Sequence, residues 1–330
     1  MTSPRTPGVL VLTQEIDPHA DRVIDELERM GVRSWRVHTS DFPLDMTLSA
    51  EGCAPAWSGS LRWEGAAVEL GDVTSVWFRR PTRFRIDPRL GGSRAAFTVA
   101  ECRMAFGGLL RALPVSWVSH PESIVSADYK PHQLALAARL GFTVPRTVIT
   151  NDPQRARDFL RTTGRSIYKP LSSVLVGIDE GEPLVQYTRE IDSSDDEALE
   201  SVRFAPCLFQ ERIDKAYEMR VVVMGPKVFA VEIHAGSEAT ALDWRSDYSR
   251  LTYRPHVISP ALESLCLRLV RNLDLSFGAI DLAVRPDGEV VFFEINSNGQ
   301  WAWLEEAVPE LPMTHTMASL LAGSEGDHVA

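Results

Sequence analysis

The chain contains 330 residues, a length that corresponds to roughly two domains, each large enough to bury a hydrophobic core. Hydrophobic residues make up 44% and charged residues 24% of the sequence, which excludes disordered, fibrous and small disulfide-stabilised classes. The 45 acidic and 34 basic residues give a net charge of −11, which argues against a general nucleic-acid binder because that function needs a basic face.

The four cysteines, Cys53, Cys102, Cys207 and Cys266, are scattered along the chain and form no C-x-x-C pair. No histidine lies at metal-ligand spacing from them, so neither a disulfide framework nor a zinc site is indicated. Apolar runs are too short for a membrane helix or for the apolar region of a signal peptide. We therefore expect a cytoplasmic protein with reduced thiols and no membrane segment.

The first third of the chain predicts an α/β domain that ends near residue 122. Short apolar runs alternate with amphipathic segments that have helix-start and helix-stop residues, a pattern typical of α/β folds. The predicted elements are a strand at 9–13, a helix from Asp17-Pro18 to Gly31, a strand at 32–38, a helix at 93–112 and a strand at 115–119.

Beyond residue 206, the sequence predicts more strands than helices, and this excess of strands favours α+β subdomains in the rest of the chain. A loop is predicted at 171–183. The other predicted elements are extended segments at 143–150 and 166–169, helices at 131–140, 153–162, 192–203 and 260–272, and strands at 206–211, 217–224, 227–235, 276–284 and 289–295.

The strongest site signal is the predicted C-terminal hairpin, whose turn sequence Pro286 to Gly288 favours tight reversal. A two-residue loop would place Asp281 directly opposite Glu294, and a bulge would leave the two within diagonal reach. Asn296 follows Glu294 by two residues and shares its face. Oxygen ligands among apolar residues are costly unless a cation neutralises them, so this set predicts Mg²⁺. These residues alone leave open a solvated hairpin face with an incidental acidic pair.

Lysine is scarce, because 30 of the 34 basic residues are arginines. Two of the four lysines, Lys130 and Lys169, occur in the same tripeptide, Tyr-Lys-Pro. Lys130 immediately precedes a predicted helix that starts at Pro131, where the macrodipole disfavours a cation by ~0.3 to 1 kcal/mol unless an anion is near. Lys169 ends an apolar strand. A polyphosphate would explain both placements, and the alternative is two lysines that extend their ammonium groups to solvent.

The apolar segment 208–213, which contains Gln210, Glu211 and Ile213, is suited to line an adenine slot through backbone groups. Glu218 lies on the next strand and alternates with Arg220, so it could reach ribose hydroxyls. The alternative for this Glu and Arg pair is a salt-bridged exposed face.

The order of these parts resembles that of the ATP-grasp carboxylate–amine ligases along the entire chain. The shared parts are Tyr-Lys-Pro, a Gln-Glu hinge, Glu-x-Arg, and Asp281, Glu294 and Asn296 in a D-x12-E-x-N arrangement. Three further segments are similar to the ATP-grasp ribosomal peptide maturases, or graspetide synthetases, which install side-chain ester or amide crosslinks in a precursor peptide. These segments are Val76-Trp77-Phe78-Arg79-Arg80-Pro81, Asp243-Trp244-Arg245 and Glu294-Ile295-Asn296-Ser297-Asn298-Gly299-Gln300-Trp301.

This resemblance implies an α/β protein with an ATP-grasp fold and the cofactors ATP and Mg²⁺. It implies an N-terminal α/β (pre-ATP-grasp) domain at 1–122 for peptide recognition and two α+β subdomains, 123–207 and 208–330, that clamp ATP, the second with the Mg²⁺ site. The implied roles are phosphate contacts for Lys130 and Lys169, cofactor contacts at the adenine hinge for Gln210, Glu211 and Ile213, a ribose contact for Glu218, Mg²⁺ ligation by Asp281, Glu294 and Asn296, and catalysis near the γ-phosphate or acyl phosphate by Arg220 and Arg245. The predicted phosphate loop, 171–183, has only Gly177 and Gly181, fewer glycines than many relatives have, so no loop amide is assigned.

The activity implied by the resemblance is ATP-dependent macrocyclisation of a ribosomal precursor peptide with a leader and a core. Nucleic acid and membrane are not expected as partners, and a homodimer is left open. Two other functions remain open: an intermolecular ligase that adds a free amino acid, as RimK-like or glutathione-synthetase-like proteins do, and a non-catalytic ATP-binding sensor. A Rossmann oxidoreductase is disfavoured because no G-x-G-x-x-G follows the first strand.

Four arginines around Pro81 are predicted to bind the precursor peptide: Arg79, Arg80, Arg83 and Arg85. The net charge of −11 would repel an acidic peptide, so a local cationic patch must supply the attraction. In an extended segment Arg79, Arg83 and Arg85 would share one side, with Arg80 on the other. The alternative is that some of these arginines pair with the acidic surface of a neighbouring subdomain.

Overall fold

The computed structural model describes residues 7–53, 56–172, 175–179, 182–185 and 187–323. The strands are β1 (Gly8–Thr13), β2 (Arg33–His38), β3 (Met46–Cys53), β4 (Ala56–Trp63), β5 (Ala66–Glu69), β6 (Val73–Phe78), β7 (Ser116–Val118), β8 (Thr147–Thr150), β9 (Ser166–Lys169), β10 (Leu175–Asp179), β11 (Glu182–Val185), β12 (Arg189–Ile191), β13 (Cys207–Glu211), β14 (Tyr217–Met224), β15 (Lys227–Ala235), β16 (Leu251–Pro255), β17 (Phe277–Val284) and β18 (Val290–Asn296). The α-helices are α1 (Pro18–Arg29), α2 (Gly92–Arg111), α3 (Pro121–Ala127), α4 (Lys130–Leu140), α5 (Pro153–Thr163), α6 (Asp196–Ser201), α7 (Glu238–Leu242), α8 (Pro260–Asn272), α9 (Ala302–Ala307) and α10 (Met313–Ala322).

A parallel sheet of strand order β2-β1-β6-β7 forms the N-terminal domain, as the alternating pattern predicts. Asp17 begins α1 by accepting hydrogen bonds from the backbone N–H groups of His19 and Ala20. Along the chain, β2 and β6 are connected by the antiparallel strands β3, β4 and β5. These three strands form a separate sheet that was not predicted from the sequence. Met46 and Leu61 of that sheet are buried in the same core as the parallel sheet.

The central subdomain is built on an antiparallel sheet of order β12-β9-β13-β8, with α5 and α6 against it. Strand β13 pairs with both β8 and β9, so this sheet extends to Glu211. The predicted boundary between residues 207 and 208 would divide β13, whose hydrogen bonds place all of it in the central sheet. The predicted loop at 171–183 contains most of an antiparallel hairpin, β10 and β11, and residues 173, 174, 180 and 181 of that loop lie outside the described residues.

The C-terminal subdomain contains an antiparallel sheet of order β16-β15-β14-β17-β18. One face of this sheet packs on α4 and α8. The other face is apolar at one end, where Val222 and Ala279 join a core shared with β1 and α1, and polar at the other end. Helices α9 and α10 fill this shared core, so these two helices pack against the N-terminal domain as well as against the C-terminal sheet.

Candidate active site

The hairpin of β17 and β18 carries the predicted acidic pair. Asp281 lies directly opposite Glu294, and Asn296 lies opposite Ala279, as the sequence analysis predicted. Because directly paired residues of an antiparallel sheet point to one face, both carboxylates and the Asn296 side chain emerge on the same side. Asp281 and Glu294 are buried, at 3% and 6% exposure.

The turn of this hairpin differs from the predicted two-residue loop. The Arg285 N–H donates to the Glu289 carbonyl at 2.9 Å, so residues 286–288 form the loop, with Gly288 at φ +89°. A loop of this length shifts the pairing next to the turn by one residue. Phe293 is an extra, bulged residue in β18 that restores the pairing of the acidic residues.

Two arginines from other parts of the C-terminal subdomain surround Asp281. The Arg220 guanidinium, on the adjacent strand β14, donates to Asp281 Oδ1 at 2.6 Å. Arg245 donates to Asp281 Oδ2 at 2.6 Å and to Glu294 Oε1 at 2.8 Å, so a single guanidinium joins the two carboxylates. Asp243 holds Arg245 in turn, with its carboxylate accepting a hydrogen bond from the Arg245 backbone N–H at 3.2 Å.

The two predicted phosphate lysines both converge on Glu294. Lys130, in the first turn of α4, donates to Glu294 Oε2 at 2.6 Å, and Lys169, at the end of β9, lies 3.5 Å from the same oxygen. Burial alone would raise the pKa of Glu294, but Lys169, Lys130 and Arg245 hold it well below its usual range. Burial alone would likewise lower the pKa of Arg245, but Asp281 and Glu294 raise it above its usual value.

Apart from Asp281, these side chains line a cleft of about 450 Å³ between the central and C-terminal sheets. Its lining includes Arg80, Asp128, Lys130, Lys169, Arg220, Asp243, Arg245, Glu294, Asn296 and residues 297–300. Within the described residues, no group of three or more acidic, histidine or cysteine side chains is arranged to hold a metal ion by itself. The oxygen-only set of two carboxylates and an amide suits a hard cation such as Mg²⁺ when a polyphosphate supplies the remaining oxygens.

A second cavity adjoins the cleft and is lined by the predicted adenine and ribose residues Gln210, Glu211, Ile213 and Glu218. The Gln210 side chain donates to Thr147 at 3.0 Å, and the Glu211 carboxylate accepts hydrogen bonds at 3.4 Å from the Arg146 backbone and the Arg285 guanidinium. The side chains of Gln210 and Glu211 are therefore engaged within the protein. Burial raises the pKa of Glu218 although Lys215 donates to it at 2.5 Å.

Comparisons with known proteins identify the relatives of this fold. Residues 8–125 match a family model described as the MvdD pre-ATP grasp domain. A RiPP-associated ATP-grasp ligase from Chryseobacterium gregarium, in complex with ADP and a leader and core peptide, is 26% identical, with 97% of this chain and 98% of that chain covered and a TM-score of 0.88. These matches support a peptide maturase with an ATP-grasp fold.

This maturase is also similar to two macrocyclases from Microcystis aeruginosa. MdnC, bound with its precursor peptide MdnA, is 26% identical, with 96% of this chain and 99% of that chain covered and a TM-score of 0.84. MdnB is 29% identical, with the same coverage and a TM-score of 0.79. No curated protein sequence matches the chain. The predicted ATP-grasp fold is thereby confirmed.

The four arginines around Pro81 do not share a surface in the maturase. Arg79 is 2% exposed and pairs with Asp17, whereas Arg83 and Arg85 are exposed. The expectation that these three share one side is therefore wrong, because β6 ends at Phe78 and the chain turns out of the extended conformation. Arg80 lines the cleft.

Two buried residues of the maturase site were not predicted. Gln133 fixes the end of β18, since its side chain donates to the Ile295 carbonyl at 2.9 Å and accepts from the Ile295 N–H at 3.1 Å. His19 accepts hydrogen bonds from the backbone N–H groups of Trp301 and Ala302 at 2.9 and 3.0 Å. The position of Gln133 one turn after Lys130, on a helix face with buried Leu136, was an available signal for a buried polar contact.

The stability of the maturase is expected to fall as the pH falls below about 6.5, partly through His19. Burial, followed by the charge of Arg79, lowers the pKa of His19 to about 3. Between these two values the unfolded chain binds a proton that the folded protein excludes, which costs about 1.4 kcal/mol per pH unit. Urea unfolding at pH 7 and pH 5.5 should show a smaller pH dependence for His19→Gln than for the wild type. Equal dependence in both proteins would contradict this assignment.

Proposed function

We propose that the protein is an ATP-dependent macrocyclase that activates Glu or Asp side chains of a ribosomal precursor peptide. The activated carboxyl would be linked to a Ser or Thr hydroxyl or to a Lys amine of the same peptide. The observation that carries this proposal is the buried acidic pair Asp281 and Glu294 within a ring of four cations, beside a slot for a base. Leader and core peptide, ADP and precursor peptide are present in structures of the similar ligase and macrocyclase.

The cofactors are ATP and Mg²⁺. Asp281, Glu294 and Asn296 are the residues that would hold Mg²⁺, which supplies charge neutralisation at the phosphates. Lys130 and Lys169 would exchange Glu294 for phosphate oxygens when the nucleotide enters, because both ammonium groups already lie in the cleft. The ion pairs with Glu294 therefore hold the two lysines near the proposed phosphate position.

The chemistry proceeds in two displacements. A peptide carboxylate oxygen attacks the γ-phosphorus, and the bond to the β-phosphate oxygen breaks, which releases ADP and leaves an acyl phosphate. The hydroxyl or amine then attacks the acyl carbon, loses its proton and expels phosphate, so the ring closes with net loss of one water from the peptide. Arg220 and Arg245 face the position where charge develops and would stabilise it. Holding both reacting groups on one peptide favours the intramolecular capture.

Hydroxylamine added to the protein, Mg·ATP and precursor peptide should give a hydroxamate on an acidic side chain. This result is expected because an acyl phosphate is electrophilic and hydroxylamine competes with the internal nucleophile. Mass spectrometry of the peptide and chromatography of the nucleotide are the measurements, with the reaction lacking ATP as the control. Formation of AMP instead of ADP would indicate an adenylate and would refute the proposed chemistry.

The product distinguishes ring closure from the two alternative functions. A macrocyclase lowers the peptide mass by one water for each bond, whereas an intermolecular ligase raises it by the residue mass of an added amino acid. A nucleotide sensor changes no mass. The intact set of Asp281, Glu294 and Asn296 favours a catalytic protein over a sensor, because a binder has no need for acidic groups directed at a polyphosphate.

The N-terminal domain is the proposed peptide-recognition surface. The two subdomains that follow it, predicted as 123–207 and 208–330, keep their proposed role in clamping ATP. We propose to move the boundary between them to Glu211, because β13 pairs within the central sheet. An apolar groove of about 530 Å³ runs between α2 and α3, lined by Phe84, Phe106 and Val125 among others. The segment that follows Arg80 forms part of its wall. A precursor peptide bound in this groove would lie near the exposed Arg83 and Arg85.

Arg83→Ala and Arg85→Ala are expected to weaken precursor binding, with a larger loss at low salt than at high salt and little change in ADP affinity. Arg85 also pairs with Asp45, so part of its charge is already compensated and its effect should be the smaller of the two. Calorimetry with the peptide and with ADP is the measurement. Arg89→Ala is the control, since Arg89 is exposed and pairs with Asp87. Normal peptide affinity of both variants at low ionic strength would place the recognition surface elsewhere.

Two further assignments stay proposals. Within the described residues, no helix combines the length and apolarity needed to cross a membrane, and a cytoplasmic location is proposed from the sequence. For a homodimer, the surface to test is the outer side of α2, where Phe97 and Met104 are 67% and 68% exposed. Light scattering of the wild type and of Phe97→Ser would decide whether that surface is used.

A further inference from the structure

The loop after β18 forms one wall of the cleft, since residues 296–300 all line it. Arg79 of the N-terminal domain holds the backbone of this loop. One terminal nitrogen of Arg79 donates to the Asn298 carbonyl at 2.6 Å and reaches the Gly299 carbonyl at 3.5 Å. A residue that the sequence predicts to bind peptide thus contacts the active-site loop instead.

Arg79 is fixed in turn by Asp17. The Arg79 Nε lies 3.4 Å from Asp17 Oδ2, and both side chains are at most 2% exposed. Thr13 donates to the same carboxylate oxygen at 2.7 Å, and the other oxygen caps α1. These hydrogen bonds hold the Asp17 carboxylate in one position, and its ion pair with Arg79 restrains the guanidinium.

The far end of the loop is held by His19, from the first turn of α1. Its Nε2 accepts both backbone N–H groups at the start of α9, those of Trp301 and Ala302. The His19 ring also packs edge-on against the Trp301 ring, with ring centres 5.2 Å apart. The middle of the loop, through Arg79 and Asp17, and the residues that directly follow it, through His19, are consequently tied to the start of α1.

The Arg79 side chain is a costly way to fill a core. Its Nε lies within ion-pair distance of Asp17 but makes no hydrogen bond, its second terminal nitrogen has no hydrogen-bond partner among the described residues, and burial lowers the pKa of its guanidinium to about 10. Buried ion pairs with unsatisfied donors are commonly less stabilising than apolar residues of similar volume. A contribution to folding stability therefore does not explain why an arginine is buried here. Its hydrogen bonds to the Asn298 and Gly299 carbonyls indicate a role in holding the loop.

The loop has little freedom above Arg79. A Cβ on Gly299 would lie 2.6 Å from a terminal nitrogen of Arg220, and Arg220 donates to the Gln300 carbonyl at 3.3 Å. A shift of the loop backbone would therefore move Arg220, which pairs with Asp281. Loop position and the geometry of the acidic pair are mechanically coupled.

We propose that Asp17, His19 and Arg79 are positioning residues for the loop 296–300 and, through it, for Arg220 and the acidic pair. This inference rests on the proposed function, since the loop lines the part of the cleft assigned to phosphoryl transfer. None of the loop residues lines the adenine slot, so the network acts on the chemical step and leaves nucleotide binding alone.

The first test compares Arg79→Gln, Arg79→Lys and wild type in ADP formation from Mg·ATP with the precursor peptide. Arg79→Gln should lower kcat by about 10-fold to 100-fold, the usual effect of losing a support of active-site groups. Arg79→Lys keeps the charge without the fork and should recover part of the loss. Calorimetric ADP affinity in the absence of Mg²⁺ should stay within about threefold of wild type.

Val23→Ala is the matched control for lost stability, because Val23 is buried in the same core and on the same helix as His19 and contacts no loop residue through a polar group. It should lower Tm while leaving kcat near the wild-type value well below that Tm. Asp17→Asn combined with Arg79→Gln removes both buried charges, and its kcat should match that of Arg79→Gln alone because the two residues act as one unit.

The inference is overturned if Arg79→Gln keeps the kcat of the Val23→Ala control, or if its only effect is a loss of ADP affinity. Failure of the proposed function has a different signature: the wild type would then release ADP without closing a ring in the peptide. In that case the comparison of ADP formation between Arg79→Gln and Val23→Ala still decides whether Arg79 positions the loop.

Discussion

Asp281→Asn and Glu294→Gln should each lower ATP turnover by at least about 100-fold, since each removes a negative oxygen from the set proposed to hold Mg²⁺. Both variants keep the shape of the side chain, so the cleft is not emptied. The measurement is steady-state ADP formation at saturating Mg·ATP, together with circular dichroism to verify folding. Asp287→Asn, at the exposed turn of the same hairpin, is the control and should retain wild-type turnover.

The same two variants should also change stability in a way that the sequence did not indicate. From the sequence, the two carboxylates are costly among apolar residues unless a cation neutralises them, which would make neutral variants at least as stable. The structure surrounds the pair with Arg220, Arg245 and two lysines, so loss of either negative charge leaves buried cations without a full counter-charge. Tm should fall without nucleotide and recover when ATP supplies the missing negative charge. Unchanged turnover in both variants would refute the metal assignment.

The predicted pairing of Asp281 with Glu294 is correct although the predicted turn is not. The sequence Pro-Asp-Gly indicates a reversal but does not determine whether two or three residues form the loop. The loop has three residues, and the bulge at Phe293 compensates for the extra one. A bulge in the middle of an apolar run leaves no local sign in the sequence, because Val291, Phe292 and Phe293 are all compatible with strand positions.

Local patterns predicted the strands and helices that hold the site. Strands β14 and β15 and helix α8 have the predicted bounds, and α4 starts at Lys130, one residue earlier than predicted. Contacts between distant segments could not be predicted in the same way. The burial of Arg79 depends on Asp17 and on the loop after β18, and these residues approach it only when α1 and α9 pack in one core.

The sheet of β3, β4 and β5 was missed for a related reason. Strands β3 and β4 contain Gly, Ala or Glu at several positions, and these residues have weak strand preference. Its core contacts come from a few well-separated residues, including Met46, Leu61 and Val68. The alternation of apolar and polar residues along these strands is too sparse to predict them from the sequence alone. Their core contacts become evident only in the folded structure, where they pack against the parallel sheet.

Gly299→Ala should reduce turnover by about 100-fold, because Gly299 lies where the loop passes closest to Arg220. The added Cβ would lie 2.5 Å from the Ala279 Cβ and 2.6 Å from a terminal nitrogen of Arg220. Ala279 belongs to the centre of β17 and cannot retreat, so the strain falls on Arg220 and the loop. Overpacking of this kind costs about 1 to 3 kcal/mol in a well-packed site, so we expect the fold to survive with a lower Tm.

The displaced guanidinium would lose its 2.6 Å contact with Asp281, and the effect should therefore appear in kcat rather than in ADP affinity. Gly108→Ala is the control, because a Cβ at that position of α2 meets no atom within 4 Å and alanine favours the helix. It should keep full turnover with equal or higher Tm. A Gly299→Ala protein with wild-type kcat would mean that the position of Arg220 tolerates displacement, and Arg220 would then not belong to the catalytic groups.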